Sequence, residues 1–121
     1  MNIANAKAQL RKGALELVVL NVIRAAGEAY PSEILAALKR AELIVVEGTL
    51  YPLLSRLRSG GLLDYAWRES TAGPPRKYYG LTPAGETFLT ELTGSWRALV
   101  AAVDSTSPLT LTATPPPLPA S

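Results

Sequence analysis

Hydrophobic positions along the chain fall into helical stripes, with one alternating stretch between them. From Ala14 to Ala26, Leu15, Val18, Val19, Val22 and Ile23 recur at i, i+3, i+4, i+7 and i+8, one wide apolar face. Leu17 and Leu20 add a second apolar side, so this helix needs partners on two sides. Gly27 ends it. Met1–Lys12 reads as a loose or helical lead-in, with Gly13 marking its end. Tyr30–Arg40 is the next helix. Pro31 suits its first position, Glu33 its first turn, and Lys39 and Arg40 its last, where the helix dipole favours cations. Ile34, Leu35, Leu38 and Ala41 face inward. A third helix stops at Gly60-Gly61; Pro52 either lies inside it and bends its first turn, or the helix begins at Thr49 or Leu50 with the proline near its start. It gathers Leu50, Leu53, Leu54 and Leu57 on one side, with Glu47 in its first turn.

After the glycine pair the period changes from helical to two. Leu62–Glu69 is a strand with Leu63, Tyr65 and Trp67 on one side. Ser70–Pro75 has turn chemistry, and Arg76–Leu81 returns with Lys77, Tyr79 and Leu81 on one side and Arg76, Tyr78 and Gly80 on the other. A lone hairpin is marginal, so it leans on the helices, and Trp67 is expected to pack beneath it. Thr82-Pro83 starts a last helix that runs to about Asp104. Gly85, Leu89, Leu92, Trp96, Leu99 and Val103 follow heptad spacing along it. Phe88 and Val100 widen the stripe beyond a two-helix seam, which suggests contact with both the first helix and a second copy of the chain.

Composition narrows the chemistry. The 121 residues include no cysteine and no histidine, which removes disulfides, thiolate or imidazole metal sites and the common nucleophilic dyads. An enzyme would need a carboxylate pair or a buried lysine, and Glu28, Glu33, Glu42 and Glu47 scatter over helix ends. No catalytic role, metal or cofactor is expected. No basic-then-apolar leader opens the chain and no apolar run is long enough for a membrane span, so a cytoplasmic, membrane-free protein is expected. The net charge of +2 is uneven: residues 1–82 hold eleven Lys/Arg against seven Asp/Glu, and residues 83–121 hold one against three. The basic part contains the third helix and the hairpin.

Three helices, a hairpin and a long helix make the winged helix-turn-helix plan, an α+β, mainly α fold. In that plan the third helix enters the major groove. Its polar side carries Gly48, Thr49, Tyr51, Pro52, Ser55 and Arg56. Small residues permit close approach, and an arginine can fork onto a base edge or phosphate. Arg76, Lys77 and Tyr78 on the wing, with Tyr30 and Ser32 at the start of the second helix, suit phosphate contact. The partner expected is double-stranded DNA. The alternative is a winged-helix module that binds a protein and no specific DNA.

Two blocks resemble the PadR family of bacterial transcriptional regulators. One is Gly48-Thr-Leu-Tyr-Pro-Leu-Leu followed by Arg56-Leu57 and Gly61-Leu62; the other runs from Pro74 through Arg76-Lys77-Tyr78-Tyr79 to Thr82-Pro83-Ala84-Gly85. The likeness covers roughly Leu10–Asp104. It implies a winged-helix homodimer that usually represses transcription and often responds to a small molecule. The single last helix is similar to that of the short subfamily, in which this helix makes the dimer contact with help from the first. Leu89, Leu92, Trp96, Leu99 and Val103 are then the interface residues. Trp96 has two readings: plain interface packing, or one wall of a slot for a small flat aromatic effector, as in some multidrug-responsive relatives. Many relatives open the second helix with His-Gly-Tyr where this chain has Tyr30-Pro31-Ser32, and many cap the third with a serine where it has Val46. The expected organisation is a DNA-binding domain over residues 1–82, a dimerisation helix over 83–104 and a flexible tail over 105–121. The tail holds five of the ten prolines and no charged side chain.

Overall fold

The computed structural model describes residues 1–108. In chain order the elements are α1 (Ile3–Ala26), α2 (Pro31–Arg40), α3 (Glu47–Ser59), β1 (Leu63–Ser70), β2 (Gly73–Leu81) and α4 (Pro83–Thr106). The fold is mainly helical with a two-stranded antiparallel sheet, as the periodicity predicts. Among the described residues no helix is long and apolar enough to cross a membrane.

One core joins the elements. Leu17, Val19, Leu20 and Ile23 of α1 meet Ile34 and Leu38 of α2, the four leucines of α3, Leu63, Tyr79 and Leu89. All of them are buried. Ala41, expected to face inward, is exposed just beyond the end of α2.

Several boundaries differ from the sequence reading. Gly13 does not interrupt α1, which runs unbroken from a cap at Asn2, whose side chain accepts from the Ala4 N–H at 2.7 Å. A single glycine costs a helix about 1 kcal/mol, and the Ala, Leu, Lys and Arg residues around it are good helix formers. Gly27 does stop α1, at φ 81°. α3 starts at Glu47 and keeps Pro52 inside its first turns, which is the reading with the proline within the helix and not the one with a start at Thr49 or Leu50. Val46 caps it with no side-chain hydrogen bond.

The hairpin turn is also tighter than expected. Ser70 pairs with Gly73, leaving only Thr71 and Ala72 as the turn. Pro74 and Pro75 belong to β2, where together they oppose the single Glu69 between two paired positions. Such a bulge accommodates residues that cannot donate to a ladder. The helix that follows ends at Thr106 rather than near Asp104, so Ser105 and Thr106 are helical and not tail. The expected tail beyond Pro108 lies outside the described residues.

Candidate nucleic-acid interface

The connection between α1 and α2 sets where the wing stands. Ala29 forms a two-way backbone bridge with Tyr79, donating at 3.0 Å and accepting at 2.8 Å, which ties the α1–α2 connection to the outer edge of β2. Beside it Glu28 grips Arg68 with two contacts, 2.7 Å from Nε and 2.9 Å from Nη2. That carboxylate, by hydrogen bond and charge, holds the Arg68 guanidinium above its ordinary pKa. Tyr30 continues the contact: Arg76 stacks 4.3 Å over its ring and Tyr78 meets it edge-on at 5.1 Å. The hairpin is therefore tied to the start of α2 by backbone, ion pair and ring contacts at once.

The other face of the hairpin looks toward α3. Tyr65 lies opposite Tyr79 and Trp67 opposite Lys77 in the strand register. The Lys77 ammonium sits 4.6 Å from the Tyr65 ring and 5.4 Å from the Trp67 ring. Arg58, in the last turn of α3, covers Tyr65 at 4.5 Å. Tyr79 is buried, and loss of water raises its phenol pKa.

Between these elements runs an open cleft of about 330 Å³. Its walls are Tyr30, Pro31 and Ser32 from the start of α2, Tyr51 and Ser55 from α3, and Trp67, Pro75, Arg76, Lys77 and Tyr79 from the wing. At its α2 end the Tyr30 N–H donates to the Glu33 side chain at 3.2 Å, which steadies the helix start.

The residues singled out from the sequence thus divide into groups. Tyr30, Ser32, Tyr51, Ser55, Arg76 and Lys77 converge on the cleft. Gly48, Thr49, Pro52 and Arg56 line a separate groove against Lys12, Leu15 and Glu16 of α1. There Arg56 makes a loose, exposed ion pair with Glu16 at 3.7 Å. Tyr78, next to Lys77 on β2 and opposite Ala66, takes the other face of the sheet and meets the Tyr30 ring. Trp67, expected beneath the wing, is 62% exposed. The hairpin rests on Leu63 and Tyr79 nearer its base, which leaves Trp67 beyond the edge of the core. Arg58 and Arg68 were not picked out by sequence reasoning. Arg68 stands out only in the observed strand register, which sets it directly across from Arg76, where a like-charge pair needs an acidic partner.

On α4 the heptad positions separate. Leu89 is fully buried in its own chain's core and has no surface to offer a second copy, which corrects its assignment to the interface. Leu92 is half-buried. Trp96, Leu99, Val100 and Val103 are exposed on the half of α4 that extends past the core. Trp96 borders a groove of about 560 Å³ with Leu17, Val18, Asn21 and Arg24 of α1 and Arg97 of α4. An ion pair between Arg24 and Glu86 at 3.3 Å ties the two helices near the core.

Comparison with known proteins agrees with this architecture. The model of the transcriptional regulator PadR-like family matches residues 19–91. A solved PadR-like transcription factor from Bacteroides fragilis is 53% identical, with a TM-score of 0.71 over 85% of this chain and 99% of that one. The Bacillus subtilis PadR, solved with operator DNA, is 22% identical and shares the fold, with a TM-score of 0.59 over 65% of this chain and 46% of that one. An uncharacterised protein of Lysinibacillus sphaericus is 30% identical over 60 residues, 50% of this chain, and the chain spans about half, 55%, of that relative's length.

Proposed function

The chain belongs to the PadR-like family of transcriptional regulators, and on that premise we propose that it is a homodimeric repressor that binds operator DNA and has no catalytic role. The observation that carries this reading is the cleft in which Arg76, Lys77, Tyr30, Tyr51, Ser32 and Ser55 converge beside α3. Cations and hydroxyls from three elements facing one channel suit a phosphate backbone, with α3 alongside in the major groove. The Bacillus subtilis PadR, which shares the fold, was solved with operator DNA. Residues 1–82 act as the DNA-binding domain and residues 83–104 as the dimerisation helix, through Trp96, Leu99 and Val103 with Leu92 at the margin. Gly48 and Pro52 let the α3 backbone approach the groove floor. Thr49, Tyr51, Ser55 and Arg56 supply contacts, and the loose pair with Glu16 leaves Arg56 free to swing.

Selection of bound fragments from the source genome tests this reading. A palindrome with half-sites about one helical turn apart is the expected result. Arg56→Ala should lose about 1–3 kcal/mol of discrimination between operator and random DNA. Lys77→Ala should weaken binding to every sequence and lower the salt slope by about one. A protein that ignores all DNA at low salt would instead be a protein-interaction module. For a small aromatic effector we propose the groove beside Trp96, whose volume admits a flat ring system. Titration with flat cationic dyes should quench Trp fluorescence; no quenching at micromolar dye leaves Trp96 to packing alone.

A further inference from the structure

We infer that Trp67 is a DNA-contacting residue, covering a deoxyribose while its neighbour Lys77 meets the adjoining phosphate. The inference rests on the DNA-binding reading above and adds a residue and a contact type to it. Major and minor grooves are separated by one sugar–phosphate ridge. A helix in one groove and a hairpin in the next therefore straddle that ridge, and the space between them is where it runs. Here that space is the cleft between α3 and the wing. Its charged and hydroxyl walls account for phosphates. They leave the sugar, an apolar surface between two phosphates, without a partner.

Trp67 fits that need. It is the largest side chain lining the cleft and is 62% exposed, so its ring is not spent on the core. Two contacts fix its orientation. Tyr65 meets it edge-on at 6.2 Å and 90°, and the Lys77 ammonium lies 5.4 Å from its ring centre. Register puts Trp67 and Lys77 directly across from each other, so an apolar face and a cation are presented side by side on one face of the wing. Tyr51, also exposed, stands on the α3 side of the same cleft.

The test follows each tryptophan separately. Protein labelled with fluorotryptophan gives one fluorine resonance for each of its two tryptophans, and loss of one in Trp67→Phe assigns it. The probe is an end-labelled duplex of mixed sequence, about 20 base pairs long to span two half-sites. Its fluorescence anisotropy reports binding independently of either tryptophan. Anisotropy should rise at low salt while the Trp67 resonance moves. Trp67→Ala should weaken binding about tenfold for any sequence, the effect of uncovering one aromatic contact. It should leave the slope of affinity against salt unchanged, because no charge is lost. Trp67→Phe should fall between. If anisotropy rises while the Trp67 resonance stays put and Trp67→Ala binds as the native protein does, the inference is overturned and the DNA-binding reading stands. If no duplex raises the anisotropy, that reading falls and the inference with it.

Discussion

Gly85 has no side chain because the Leu62 carbonyl occupies the space one would fill; a Cβ built there would overlap that oxygen. Thr82 explains why the approach is so close. Its hydroxyl donates to the Gly61 carbonyl at 2.6 Å and accepts from the Gly85 N–H at 3.0 Å, while its own N–H reaches the Leu62 carbonyl at 3.1 Å. The turn after α3 and the first turn of α4 are thus fastened through one threonine and one glycine. This gives a physical reason for Gly85 in the Thr82-Pro83-Ala84-Gly85 run, a position that the heptad reading took as the first of a seam. Gly85→Ala should destabilise the fold by about 1–3 kcal/mol, the range for forcing atoms into a packed site. Chemical denaturation would measure it, and a loss within about 0.5 kcal/mol, the range of ordinary surface substitutions, would show that the α3–β1 turn yields easily.

At the scale of elements, the wing's position depends on its attachment to the α1–α2 corner. The Ala29–Tyr79 bridge fixes the base of the hairpin, and Glu28–Arg68 fixes it nearer the tip. Arg68 lies across from Arg76, so without Glu28 two guanidinium groups would repel on one face. Glu28→Arg should therefore weaken DNA binding by splaying the wing, and Arg68→Glu should do so as well. Combining the two reverses the ion pair and should recover most of the affinity, measured by anisotropy. A double variant no better than the worse single one would mean that Arg68 touches DNA itself.

The apolar period of α1, the stop at Gly27, the start at Thr82-Pro83 and the alternation that puts Tyr65 and Trp67 on one side of β1 and Lys77 and Tyr79 on one side of β2 were legible in the sequence. Which residues stand opposite each other was not, because register follows from the turn. Gly13 misled because a lone glycine weakens a helix without ending it. The turn at Thr71-Ala72 was hidden by Pro74 and Pro75, which are turn formers in general but sit in a bulge here. The cleft was less legible. Periodicity tells which side of α3 is polar, but it does not tell that Arg56 leans toward Glu16 while Tyr51 leans toward the wing.

For the whole molecule, the same limit governs α4. A heptad stripe identifies an apolar face without saying what covers it. Leu89 is covered by this chain, whereas Trp96, Leu99, Val100 and Val103 are not. The uncovered part forms the second half of a helix of 24 residues, about 36 Å long, that extends beyond the core. Ile3 and Leu10 on the first half of α1 are exposed too, so both long helices offer apolar surface. A two-fold pairing through α4 would bury these side chains and join two clefts in one particle, doubling the basic surface presented to DNA. Leu99→Asp with Val103→Asp should then shift the protein from dimer to monomer in sedimentation. The Leu62–Gly85 junction lies outside the altered surface, so each chain should keep its fold. A monomer loses the benefit of a tethered second half-site, so affinity for a palindromic site should fall by about a hundredfold or more. Affinity for an isolated half-site should change little. A double variant that sediments as a dimer and holds the palindrome as tightly as before would remove α4 from the interface and return Trp96 to an unexplained surface residue.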